Sequence, residues 1–182
     1  MIYLSKYDIT KLTIDVIVNA ARPSLLGGGG VDGAIHSAAG KELLEECKTI
    51  GGCPESEVRI TKAYQLDAKY IFHTVGPRWI NGFMESKEPL YHCYNNCLEK
   101  LKENNLKSIA FPNISTGAYG FPKNIACEIA INTSLQKQSH LNTEFEIVFC
   151  CFDDENHNLY HDFLKKNKID FLTDIEMFKS QI

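Results

Sequence analysis

Four consecutive glycines, Gly27 to Gly30, constrain this chain more than any other feature of its sequence. Glycine adds no side-chain burial and costs backbone entropy when it is ordered, so core packing does not explain such a run. The run follows Val16-Ile17-Val18, an apolar stretch that reads as a strand buried on both faces, and precedes VDGAIHSAAG, whose small residues take a helical spacing. At a strand-to-helix junction, amides that carry no Cβ nearby approach an anion closely, and the helix N-terminus adds its partial positive charge. Phosphate is the usual anion at such a place. A flexible surface turn is the competing reading, because the Rossmann and Walker spacings are both absent.

Strands and helices alternate along the rest of the chain. Ile2 to Leu4, Asp15 to Asn19, Val58 to Ile60, Tyr70 to Val75, Ser108 to Pro112 and Glu146 to Cys151 read as strands. Helical spacing runs through Lys41 to Thr49, Glu88 to Asn104, Asn124 to Gln138 and Asp154 to Lys165, the last with an acidic start that suits the positive end of its dipole. That order predicts an α/β fold with a sheet covered on both faces. A second loop, Ser115-Thr116-Gly117-Ala118-Tyr119-Gly120-Phe121, also lies between an apolar strand and a helix. In a parallel sheet both loops open on the same edge, where they can face one diphosphate. Serine, threonine and glycine there offer uncharged donors, and Tyr119 is suited to cover a ligand; an ordinary strand-to-helix connection is the alternative.

A length of 182 residues suits one domain. A net charge of −4 with dispersed Lys and Arg gives no footprint for a nucleic-acid backbone, which leaves a small anionic ligand as the expected partner. Neither a signal core nor a run of about 20 apolar residues is present, so a cytoplasmic protein without a membrane span is expected. The seven cysteines are an odd set without a CxxC pair, which argues for reduced, buried thiols over disulfides or zinc. Cys93 and Cys97 share a helix face, but no further metal ligands accompany them. No metal or cofactor is expected, and a monomer is the default.

Six blocks in colinear order carry a family likeness: DIT (Asp8 to Thr10), VIVNAA (Val16 to Ala21), LLGGGGVDGAIHSAAG (Leu25 to Gly40), GGCPESEVRIT (Gly51 to Thr61), HTVGP (His73 to Pro77) and ISTGAYGFP (Ile114 to Pro122). With CFDDEN (Cys151 to Asn156), they make the chain resemble MacroD-type macrodomains over roughly residues 1 to 165. The resemblance implies a three-layer α/β/α domain over residues 1–168 with a central mixed, largely parallel sheet. Residues 169–182 would form an extension without an assigned role. It also implies binding of ADP-ribose, hydrolysis of mono-ADP-ribose esters on acidic protein side chains, and deacetylation of O-acetyl-ADP-ribose. ADP-ribosylated proteins and O-acetyl-ADP-ribose are then the implied partners.

Carried onto this chain, the resemblance puts Asp8 where the adenine amino group donates, the Ile9 backbone against the ring, and Phe152 where an aromatic packs on adenine. Asn19 joins the ligand-binding set, as do Gly28 and Gly29. Gly30, Val31 and Asp32 fall near the distal ribose. Ser115, Thr116, Gly117, Ala118 and Tyr119 surround the diphosphate, Tyr119 and Gly120 shape the wall, and Phe121 joins the ligand-binding set. In isolation, Asp8 also reads as a turn former, Phe152 as a core ring and Asp32 as a helix cap.

Catalysis is expected from Asp32, Arg22 and Tyr119. Asp32 either takes a proton from water or holds a ribose hydroxyl, and the residues leave both open. His36, one turn later, reads as a structural helix residue. Arg22 is a departure, because relatives carry asparagine at this position and associate it with catalysis. Guanidinium only donates hydrogen bonds and stays charged, so it does not replace an amide directly. Pointing inward, Arg22 would pair with a phosphate or with Asp32, favouring retention over turnover; pointing outward, it would leave the position to water. A module that reads ADP-ribose without hydrolysing it is therefore the alternative function.

Overall fold

The computed structural model describes residues 1–80 and 87–179. Its strands are β1 (Ile2–Ser5), β2 (Val16–Ala20), β3 (Val58–Lys62), β4 (Tyr70–Thr74), β5 (Ser108–Pro112), β6 (Glu146–Cys150) and β7 (Phe171–Leu172). Its helices are α1 (Gly30–Ala39), α2 (Lys41–Ile50), α3 (Lys87–Glu103), α4 (Lys123–His140) and α5 (Asp154–Lys166). The expected elements are present, with ends that differ by a residue or two.

The strands form one sheet in the order β3-β4-β2-β5-β6-β1-β7. Every pairing is parallel except β3 with β4, whose short connection leaves no room for a crossover helix. The expected mixed, largely parallel sheet is what the chain forms. Residue alternation sorts the strands' side chains between two cores. Val16, Val18, Phe72, Phe111 and Phe149 pack under α3, α4 and α5, while Ile17, Ile71, Ala110 and Val148 pack under α1 and α2.

From β2 the chain turns through α1 and α2 toward β3 and β4, whereas from β5 it turns through α4 toward β6. The neighbouring strands β2 and β5 thus feed connections that diverge, and open α/β sheets hold ligands at the carboxyl ends of such strands. Both glycine-bearing loops leave from this edge, as the sequence led one to expect. So do the segments after β1 and β6, which carry Asp8 and Phe152.

The C-terminal stretch, for which the sequence suggested no role, adds β7 beside β1 and buries Ile175 and Phe178 under the α1–α2 face. Phe178 meets Tyr3 edge-on at 5.1 Å. No helix among the described residues is long and apolar enough to cross a membrane.

Candidate functional site

Beyond β2 the first loop stays pinned to its neighbours. The Ala21 amide donates to the Thr74 carbonyl at 2.9 Å, and a turn closes where the Leu25 amide donates to the Arg22 carbonyl at 3.0 Å. Pro23 occupies the second position of that turn, where its preset φ suits the chain reversal. Its carbonyl accepts from the Cys53 amide at 2.8 Å, tying the loop to the segment before β3.

Gly29 caps α1 with extended backbone and brings no side chain to the first helical amides. Those amides have no partners within a helix, so the start of α1 carries uncapped donors backed by the helix dipole. At Gly28 the space is taken by side chains. A Cβ there would lie 2.6 Å from Arg22 Nε and 3.0 Å from Asp32 Oδ2, so a larger residue would push the arginine side chain aside and crowd the carboxylate. The glycine thus lets Arg22 and Asp32 approach the loop from two sides.

Asp32 is the third residue of α1 and is 3% exposed. Gly29, not Asp32, is the cap, so the capping alternative falls away. Its Oδ1 accepts from Asn19 Nδ2 at 2.7 Å, whereas its buried Oδ2 has no hydrogen-bond partner among the described residues. A buried carboxylate oxygen without a donor is costly, and it marks where a ligand hydroxyl or a water belongs. His36 Nε2 comes within 3.5 Å of Asp32 Oδ1, in ion-pair range but outside hydrogen-bond geometry. The contact attracts only when His36 is protonated. Arg22 lies over Gly28, and no ion pair joins it to Asp32 among the described residues.

The second loop is held by three groups to which the sequence reading assigned no role. Asn113 accepts from the Phe152 amide through Oδ1 at 3.3 Å and contacts Cys151 Sγ through Nδ2 at 3.5 Å, linking the ends of β5 and β6. Gly76 lies directly beneath Ser115; a Cβ there would fall 2.1 Å from Ser115 Oγ. The Trp79 amide donates to the Tyr119 carbonyl at 2.9 Å, and its ring meets Phe121 edge-on at 4.8 Å. Arg78 stacks on Tyr119 at 4.5 Å from the ring centroid, a contact that desolvates one face of the phenol. HTVGP carried the relevant signal, a glycine and a proline just beyond an apolar strand, but contacts with a loop some forty residues later are invisible in sequence.

The sequence-nominated residues separate into three groups. Asp8, Phe152, Gly28 to Gly30, Gly117, Ala118 and Gly120 are exposed along the carboxyl edge; Val31, Thr116 and Tyr119 are half-buried there. Phe152 is 99% exposed, which excludes the core-ring reading. Asp8 Oδ1 accepts from the Thr10 amide and hydroxyl at 2.9 and 2.8 Å, so the turn-forming role is real and uses one oxygen only. Ile9 and Ser115 are buried, and Ser115 holds a φ of 66°, strained for a residue other than glycine.

Two nominated side chains do not reach the cleft. Phe121 is 2% exposed and directs its ring into the core against Trp79, because the loop closes through the Phe121 amide on the Ser115 carbonyl at 3.0 Å. Asn19 is fully buried beneath Asp32 and contacts the site only through that carboxylate. No group of three or more His, Cys, Asp or Glu side chains among the described residues is placed to hold a metal. The cysteines are all buried, and desolvation pushes their thiols up, Cys93 to about 11 and Cys151 to about 12.

An α/β/α sandwich with two such loops on the carboxyl edge of adjacent central strands is the macrodomain architecture. The match to the Macro domain family spans residues 18–130, and the chain belongs to that family. It is 49% identical over 157 residues to an O-acetyl-ADP-ribose deacetylase of Enterobacter cloacae, covering 84% of this chain and 87% of the relative. It superposes on an Oceanobacillus iheyensis macrodomain with ADP at a TM-score of 0.85 and 44% identity, covering 89% and 88% of the two chains. A Trypanosoma brucei macrodomain in complex with ADP-ribose matches at a TM-score of 0.83 and 40% identity, covering 90% of this chain and 68% of the other.

Proposed function

We propose that this protein binds ADP-ribose across the carboxyl ends of β2 and β5 and hydrolyses ADP-ribose esters, both on acidic side chains of modified proteins and in O-acetyl-ADP-ribose. Phe152 stacks on adenine, the free oxygen of Asp8 accepts from its amino group, and the Ile9 backbone lies against the ring. The uncapped amides of α1 and the loop from Ser115 to Tyr119 receive the diphosphate. The distal ribose then lies against Gly30 to Asp32. Ligands in the related structures and the name of the E. cloacae relative support this reading.

The observation that carries the catalytic part is Asp32 Oδ2, a buried carboxylate oxygen with no donor of its own. It accepts a ribose hydroxyl or the attacking water, and water adds across the ester to release ADP-ribose and the free carboxylic acid. Incubation with a glutamate-linked mono-ADP-ribosylated protein, and separately with O-acetyl-ADP-ribose, should yield ADP-ribose. Asp32→Ala should cut the rate on the order of 100-fold or more while ADP still binds. Tight ADP-ribose binding by an inactive wild type would reject the hydrolase.

Arg22 favours a second reading, a module that retains ADP-ribose. Its guanidinium lies over Gly28 on the same loop that Asp32 Oδ2 approaches, where its fixed positive charge tightens an anionic ligand. On this reading, Arg22→Asn raises turnover about tenfold. No gain in a folded, binding-competent variant counts against it.

A further inference from the structure

Beneath the cleft a chain of buried polar groups leads to Asp32. Thr61 on β3, His73 on β4, Asn19 on β2 and Asp32 on α1 are between 0% and 3% exposed. Thr61 Oγ1 lies 2.9 Å from His73 Nε2, His73 Nδ1 lies 3.1 Å from Asn19 Nδ2, and Asn19 Nδ2 lies 2.7 Å from Asp32 Oδ1. Asn19 and His73 are direct neighbours in the parallel register of β2 and β4, so the sheet itself aligns them.

One constraint assigns every hydrogen in the chain. A carboxylate only accepts, so Asn19 must present its NH₂ group to Asp32. The second hydrogen of that group points at His73 Nδ1, which must therefore carry a lone pair. The proton of the neutral ring then sits on Nε2 and is donated to Thr61. Turning the Asn19 amide over would set its carbonyl oxygen against the Asp32 carboxylate and the imidazole lone pair together, in a medium too dry to screen either clash. Burial, with a smaller contribution from His36, pushes the His73 imidazole down to about 3, so the ring remains the neutral acceptor this arrangement requires.

We infer that His73 is a positioning residue of this site: as the Nε2–H tautomer it orients the Asn19 amide, which holds Asp32 by Oδ1 and leaves Oδ2, beside Gly28, without a donor. His73 acts only through Asn19 and never meets substrate. The consequence for ribose and water rests on the function proposed above; the tautomer and the orientation of Asn19 do not. A purely space-filling histidine would tolerate any residue of similar volume.

The test uses the full chain as wild type, His73→Leu and His73→Asn, because asparagine restores an acceptor near the position of Nδ1 and leucine does not. Calorimetry with ADP, which lacks the distal ribose, should give affinities within about twofold in all three proteins. With ADP-ribose, His73→Leu should bind about tenfold more weakly, its kcat should fall on the order of 10- to 100-fold, and His73→Asn should recover most of both. Leucine behaving as wild type, or asparagine as damaging as leucine in a folded protein, overturns the inference. Equal wild-type affinity for ADP and ADP-ribose would instead reject the proposed placement of the ribose against Asp32.

Nitrogen-15 NMR of the wild-type histidines decides the matter even if the leucine variant fails to fold. A persistent Nε2–H tautomer at His73 from about pH 5 to pH 8 supports the inference, and an Nδ1–H tautomer or ordinary titration near neutrality overturns it. An inactive wild type with the expected tautomer and the expected ADP-ribose loss would reject the hydrolase while leaving His73 in its role.

Discussion

The two faces of the sheet are built from alternate residues of the same strands and do different things. Under α3, α4 and α5, the rings of Tyr94, Phe111, Phe149 and Tyr160 form a connected row with centroid separations of 5.0, 6.1 and 5.1 Å. Under α1 and α2, the positions next along β2 and β4 are Asn19 and His73, whose hydrogen bonds lead to Asp32. Val18 and Phe72 face the aromatic side; a single residue further on, each strand contributes a buried polar side chain. Period-two alternation thus lets one face carry stability while the other carries a polar chain, with the sheet separating them. The polar face is the costlier design, since each of its groups needs a partner to offset desolvation.

If the aromatic face carries stability alone, Phe111→Ala should have the largest effect on folding. Loss of a fully buried ring should cost about 3–5 kcal/mol by denaturant unfolding, with unchanged ADP-ribose affinity in the fraction that remains folded. Weakened affinity in that fraction would mean that the faces are coupled.

The polar face should show a pH signature that the other lacks. His73 takes up a proton near 6.5 when unfolded and near 3 when folded, so the unfolded chain binds more protons between those values. Stability is then full above about 6.5 and is lost as pH falls toward 3, roughly 3 kcal/mol of it by pH 4. Asp15, Asp153 and Asp154, held below their ordinary 3.8 by hydrogen bonds and lysine partners that outweigh burial, lose their contributions only at more acidic pH. Unfolding midpoints from pH 7 down to pH 4 should therefore decline in the wild type and stay nearly flat in His73→Leu. Parallel declines would assign the loss to other groups.

Phe152 sharpens the comparison from outside both cores. Because its ring is almost wholly exposed, Phe152→Ala should leave the melting temperature unchanged and weaken ADP-ribose binding by about 1–3 kcal/mol, the usual range for a base on an aromatic ring. A lowered melting temperature would show that the ring packs on the protein instead.

Much of this architecture was legible beforehand. The alternation of apolar runs with helical spacing predicted the layers, and the position of the glycines between Val18 and Val31 predicted a bare backbone at a helix start. Two kinds of feature were not legible. Residues whose roles depend on a distant neighbour, such as Asn113 beneath the Phe152 amide and Gly76 beneath Ser115, look ordinary in their local sequence. The direction of the Phe121 ring was hidden for the same reason: the residue continues the second loop in sequence, and loop closure turns its ring toward Trp79. The segment from Ile169 onward has too short a strand, Phe171–Leu172, to produce a readable period, and it joins the sheet only because β1 offers an edge.

Local sequence was enough to determine which segments become strands and helices and where a bare backbone falls between them. Propensity, periodicity and the missing Cβ act over a few residues, which is why they can be read in line. Tertiary structure alone brought Asn19 to Asp32 Oδ1 and left Oδ2 without a donor among the described residues. Asn19 and His73, 54 positions apart, meet through the register of β2 against β4, which no local pattern encodes.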